Sequence, residues 1–72
     1  MKKRSFTIAG HRTSVALEEE FWGALEREAR AQAMSMAALV ASVDSARGSR
    51  NLASALRVHV LSRALEKTCS QS

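Results

Sequence analysis

The chain has 72 residues, with 11 Lys+Arg against 7 Asp+Glu for a net charge of +4, and 46% of it is hydrophobic. Its one cysteine, Cys69, excludes an intrachain disulfide and leaves a four-cysteine metal cluster without ligands, and no apolar run approaches the length of a membrane span. A chain this short makes one domain at most and buries only a modest share of its surface, so stability is expected from pairing with a second copy.

The excess positive charge lies at the start. Lys2, Lys3, Arg4 and Arg12 all precede the first carboxylate, Glu18, and residues 14–72 carry 7 charges of each sign. A cationic segment joined to a neutral body suggests a polyanion contacted at one place. Residues 1–4 read as a basic arm with the charge of a secretory leader, but Gly10, His11, Arg12 and Thr13 interrupt the apolar run a leader needs. A cytoplasmic protein with no membrane partner is therefore expected.

Residues 5–9 (Ser-Phe-Thr-Ile-Ala) alternate polar and apolar, and residues 13–17 do so more weakly. Such alternation fits half-buried strands, and Gly10 between them can supply the positive φ of a tight turn. Two arrangements follow: a local hairpin, or one strand over residues 12–17 behind a loose arm. In both, Val15 and Leu17 share one face, and Arg12, Ser14 and Ala16 share the other.

Glu18, Glu19 and Glu20 suit the first turn of a helix, where carboxylates meet the positive end of the helix dipole. Phe21, Trp22, Leu25 and Ala29 then recur at helical spacing, predicting a first helix over about residues 18–33. Ser35 is a suitable N-cap for a second helix over residues 36–46, with Met36, Leu39, Val40 and Val43 on its apolar side. Arg47-Gly48-Ser49-Arg50 reads as a loop, with Ser49 or Asn51 capping a third helix over residues 52–66. That helix carries two apolar stripes: Leu52, Ala55, Leu56 and Val60 on one side, and Val58, Leu61 and Leu65 on another. A helix apolar on two sides is usually sandwiched, and one neighbour can be a second copy. Residues 67–72 form a polar tail.

Catalytic and metal-binding chemistry finds little support. His11 and His59 are too few and too far apart for a metal site. The three successive glutamates point in different directions around a helix and do not converge. There is no nucleophile–base pair and no Gly-rich phosphate loop, so neither an enzyme nor a cofactor is expected.

The order of basic segment, strand, helix and Ser-capped helix resembles the ribbon-helix-helix DNA-binding proteins. More narrowly, the run Lys3-Arg4-Ser5-Phe6-Thr7-Ile8-Ala9-Gly10-His11-Arg12-Thr13-Ser14-Val15, followed by Leu17-Glu18-Glu19-Glu20-Phe21-Trp22, is similar to the start of a bacterial subgroup with an added C-terminal helix. Ser35-Met36-Ala37-Ala38-Leu39-Val40 and Asn51-Leu52-Ala53-Ser54-Ala55-Leu56-Arg57-Val58 resemble its later helices. The chain departs from the family at the first interhelical turn, which commonly holds a glycine and here reads Ala33-Met34.

The resemblance implies a mainly α fold with a short N-terminal β-ribbon, an intertwined homodimer, and a ribbon that enters the major groove of double-stranded DNA. Two chains would each contribute a strand, with Val15, Leu17, Phe21, Trp22, Leu39 and Val43 in the dimer core. Arg12 and Ser14 would meet base edges, since arginine bonds guanine in bidentate fashion and serine bonds several bases. Ala16 offers only a methyl group, so the reading face is thin and its discrimination modest. Lys2, Lys3 and Arg4 would hold phosphates, as would the helix N-terminus headed by Ser35. A transcriptional regulator is the expected role. An antitoxin-like or protein-interaction module docking through the third helix is the alternative.

Overall fold

The computed structural model describes the backbone of residues 1–71 and the side-chain surroundings of residues 1–66. Five elements follow one another: β1 (Lys2–Ile8), β2 (His11–Leu17), α1 (Glu19–Ala31), α2 (Met36–Ala46) and α3 (Leu52–Gln71). β1 and β2 form a two-stranded antiparallel ribbon, and the three helices cover one of its faces. A ribbon followed by helices is the architecture that the resemblance implies, with a third helix added.

The ribbon is a hairpin. Seven residue pairs run in register from Ile8 opposite His11 to Lys2 opposite Leu17. A two-residue loop joins the strands, with Ala9 at φ 52° and Gly10 at φ 80°. Two successive positive φ values mark a type I′ turn, whose twist matches that of the strands it connects. Gly10 adopts that angle without strain, whereas Ala9 does so against the preference of an L residue.

One expectation is corrected here. Residues 2–4 are not a loose arm but the first half of β1. The alternation of Ser5–Ile8 extends backward through them: Arg4, Phe6 and Ile8 turn toward the helices, and Lys3, Ser5 and Thr7 turn away. β1 satisfies one edge of β2 and leaves its other edge open.

The core lies between the ribbon and the helices. Ile8, Val15 and Leu17 of the hairpin are buried with Trp22, Leu25 and Ala29 of α1, Leu39, Val40 and Val43 of α2, and Ala55 and Leu56 of α3. Val15, Leu17, Trp22, Leu39 and Val43 are thus covered within a single chain. Phe21, expected beside them, is only half-buried and lies under the Arg57 guanidinium, 5.9 Å from the ring centroid. Trp22 is 2% exposed, and its Nε1–H donates to the Lys2 carbonyl at 2.7 Å. That bond pins the start of β1 to α1 and satisfies the one polar atom of a large buried side chain. No buried side-chain N or O among the described residues lacks a partner.

Helix ends follow their local chemistry. Residue 18 caps α1 with extended backbone, and the Ser35 hydroxyl caps α2 by accepting from the Ala38 N–H at 3.0 Å. Asn51, rather than Ser49, caps α3: its Oδ1 accepts from the Ser54 N–H at 2.8 Å. α1 stops at Ala31, two residues before the expected end, because a Schellman turn closes it. The Met34 N–H donates to the Ala29 carbonyl at 2.9 Å and the Ala33 N–H to the Arg30 carbonyl at 3.1 Å, with Ala33 at φ 53°. Ala33 therefore holds the left-handed position at which a helix end usually carries glycine.

α3 runs past residue 66 through Gln71, beyond the expected end. The side chains of residues 67–72, Cys69 among them, lie outside the described residues. Of the two α3 stripes, one packs as expected, with Ala55 and Leu56 buried and Leu52 and Val60 against the core. The other is not sandwiched within this chain: Val58, Leu61 and Leu65 are 37%, 58% and 58% exposed.

Candidate nucleic-acid interface

Cross-strand partners in a sheet share a face, so the register assigns the outward surface. The pairs Lys3 with Ala16, Ser5 with Ser14 and Thr7 with Arg12 all point away from the helices. Arg12 and Ser14 therefore lie where the alternation put them, and both are exposed. Three residues of β1 join them, also exposed: Lys3, Ser5 and Thr7. The Ser5 and Ser14 hydroxyls are 2.9 Å apart and hydrogen-bonded, which ties the two rows together at the centre of the face.

This face carries cations and hydroxyls and no carboxylate. The first Asp or Glu in the chain is Glu18, beyond the end of β2. Among the described residues neither Lys3 nor Arg12 has an acidic group within salt-bridge distance. Both charges are left to solvent or to a ligand, and the field above the ribbon is positive.

The other expected phosphate contacts are placed differently. Arg4 is on the helix side. Its Nη1 donates to Glu26 Oε2 at 3.1 Å, and its guanidinium lies 5.0 Å from the centroid of the Trp22 ring. Its charge is answered inside the fold, because an arginine at an inward register position next to a buried tryptophan finds an aromatic face and a carboxylate on α1. Lys2 is also off the outward face. It is exposed at the open end of the ribbon, beside Met1 and the Glu18, Glu19 and Glu20 side of α1. Ser35 is exposed at the start of α2, its hydroxyl engaged as the N-cap. The N–H groups of Met36 and Ala37 sit in the first turn, the position at which helices meet anions.

The ribbon also has a free backbone edge on each side. In a two-residue hairpin the pair flanking the loop is hydrogen-bonded, and hydrogen-bonded and open pairs alternate from there. Ile8 and His11 flank the loop, so Arg12, Ser14 and Ala16 send their N–H and C=O groups away from β1. None of these groups meets a backbone partner elsewhere among the described residues. Lys3, Ser5 and Thr7 do the same on the far side of β1.

Two further carboxylates, Glu18 and Glu28, join the α1 side of the fold to α3. Glu18 accepts from Arg57 Nε at 3.2 Å, joining the start of α1 to α3. A hydrogen bond from its own backbone, and next the Arg57 guanidinium, hold the Glu18 carboxyl below its ordinary value of 4.5. The Glu28 carboxylate lies 2.8 and 2.9 Å from His59 Nε2 and also accepts from Gln32 Nε2 at 2.9 Å, again linking α1 to α3. His59 thus has a structural partner. No group of three His, Cys, Asp or Glu among the described residues is arranged to hold a metal ion. No described helix is long and apolar enough to cross a membrane.

Sequence reasoning missed Ser5 and Thr7 as members of the face and treated Lys3 as part of an arm. The signal was available: once the hairpin is chosen, the alternation of Ser5-Phe6-Thr7-Ile8 places them. A family model described as a ribbon-helix-helix domain matches residues 1–64. Comparison with curated proteins and with solved structures finds no match.

Proposed function

The chain belongs to the ribbon-helix-helix family, a family of DNA-binding regulators, and from that premise we propose that it is a homodimeric, double-stranded DNA-binding transcriptional regulator of the bacterial cytoplasm rather than an enzyme. The outward side of β2, paired with the β2 of a second copy, enters the major groove, which accommodates a two-stranded β-ribbon. Arg12 bonds a guanine edge and Ser14 a neighbouring base. The observation that carries this reading is the carboxylate-free outward face, on which Lys3 and Arg12 have no acidic partner among the described residues.

The second copy pairs through the free edge of β2. Three N–H and three C=O groups at Arg12, Ser14 and Ala16 form a template for an identical antiparallel strand. Pairing about Ser14 sets each Arg12 opposite an Ala16, so no like charges meet. Helix α2 presents its first-turn N–H groups and Ser35 to a phosphate.

Titrations against a random duplex and a set of genomic duplexes, at several salt concentrations, test the reading. Binding to DNA that weakens with salt, and a preferred site that loses about 1–3 kcal/mol of discrimination in Arg12→Ala, are the expected results. An Arg12→Ala variant weakened equally on every duplex would make Arg12 a phosphate anchor. The dimer is tested apart from DNA: its unfolding midpoint should rise with protein concentration, and sedimentation as a folded monomer at micromolar concentration would refute it.

The exposed α3 stripe of Val58, Leu61 and Leu65 favours a second reading, in which that helix docks on another protein as in an antitoxin-like module. Binding of no duplex by the wild type would move the account to this alternative.

A further inference from the structure

We infer that β1 is a rim strand of the DNA-binding surface, with Thr7 and Lys3 holding the phosphates along the walls of the groove that β2 enters. The inference rests on the β2-edge dimer proposed above and adds contacts from a strand that a single-stranded ribbon partner would not have.

The geometry comes from two spacings. Neighbouring strands lie about 4.8 Å apart, so two copies joined along β2 form a four-stranded sheet in the order β1, β2, β2, β1. The two β2 strands then run about 2.4 Å on either side of the twofold axis, and each β1 about 7 Å from it. The major groove is about 12 Å wide, which puts its walls about 6 Å from the same axis. The inner strands fit between the walls and the outer strands lie over them. A strand at the wall faces phosphate and sugar, not base edges.

The outward side chains of β1 suit that position. Lys3 and Thr7 are exposed, share the face of Arg12 and Ser14, and offer an ammonium and a hydroxyl. Ser5 between them is bonded to Ser14 at 2.9 Å and so couples the rim row to the reading row. Arg4, the other cation of β1, is turned inward to Glu26 and Trp22 and takes no part. Phosphate oxygens accept from both ammonium and hydroxyl groups, and contacts of this kind set register without reading sequence.

Anisotropy titrations of full-length variants on a preferred and a random duplex, across a salt series, test the assignment. Thr7→Val removes the hydroxyl and keeps the β-branched shape. It should weaken both duplexes by the same factor, roughly 5–10-fold over two copies, with the salt dependence unchanged. Thr7→Ser should bind like the wild type. Lys3→Gln should weaken both duplexes and lower the salt slope by about two units, one phosphate for each chain. Thr7→Glu should abolish binding while its circular dichroism stays that of the wild type. If Thr7→Val and Lys3→Gln bind both duplexes normally while Arg12→Ala weakens the preferred one, β1 is off the DNA and this inference fails alone. A change of preferred sequence in Thr7→Val would also overturn it, by making Thr7 a base reader. A wild type that binds neither duplex overturns both this inference and the function it rests on.

Discussion

Replacing Ala33 by glycine should stabilise the protein. Ala33 occupies the left-handed position of the Schellman turn that ends α1, at φ 53°. An L residue there costs roughly 1–2 kcal/mol, because Cβ crowds the following carbonyl oxygen. Glycine relieves that strain but adds freedom to the unfolded chain, at a cost of about 0.5–1 kcal/mol. Ala33 is exposed, so its methyl group gives up little packing. The net expectation for Ala33→Gly is a gain of about 0.5–1 kcal/mol, or a midpoint raised by about 2–8 °C in a domain of this size. Urea melts and thermal scans at one fixed protein concentration would measure it. Ala31→Gly, two residues earlier and still helical, is the control and should lose up to about 1 kcal/mol. Ala33→Gly no more stable than the wild type, or both glycine variants equally destabilised, would refute the strain argument. Ala9, at φ 52° in the hairpin turn, should respond in the same direction to Ala9→Asn, the residue type this turn prefers.

Arg4→Met should cost about 1 kcal/mol, combining a half-exposed ion pair with a cation–π contact, and should leave the salt dependence of DNA binding unchanged; a lower salt slope would return Arg4 to the phosphate contacts. Because the Glu18 carboxyl is held below 4.5 in the folded chain, it stabilises the fold above that pH and the contribution is lost as pH falls through the lowered value. Glu18→Gln should therefore flatten the acid side of a stability–pH curve and leave its shape above pH 6 unchanged, and an unaltered acid limb would contradict the role given to its hydrogen bonds. Leu56→Ala, at a fully buried site, should cost about 2–5 kcal/mol, whereas Leu61→Ala should change a lone chain by no more than about 0.5 kcal/mol. A large loss at Leu61 in chemical denaturation would mean that a second copy covers the α3 stripe.

The elements were legible because their signals are local. Alternation marked the strands, 3.6-residue spacing marked the helices, and Ser35 and Gly48 punctuated them. Arg12 and Ser14 could be placed outward because Val15 and Leu17 had to be inward. The first four residues were misread for a physical reason. Charge looks the same on an arm and on a strand, and only the pairing of Lys2 with Leu17 and Lys3 with Ala16 separates Lys3, which faces out, from Arg4, which faces in. The destination of Arg4 depends on Trp22 and Glu26, which are close to it in space and distant in sequence. The end of α1 was placed late because Ala33, a good helix former, occupies a position where the backbone demands what glycine does best. The exposed Val58, Leu61 and Leu65 read as a buried stripe because apolar spacing reports a tendency to be covered, not what covers it.

The central claim is that the outward face of the hairpin is the surface that meets DNA. A photocrosslinker attached at Ser14→Cys, in a Cys69→Ser background, tests it most directly, with the same group at Ser62→Cys on the exposed side of α3 as the comparison. The expected result is light-dependent crosslinking of the Ser14→Cys conjugate to bases of a preferred duplex, suppressed by salt, with little from the Ser62→Cys conjugate. Crosslinking of equal yield from both sites, or from Ser62→Cys alone, would contradict the account.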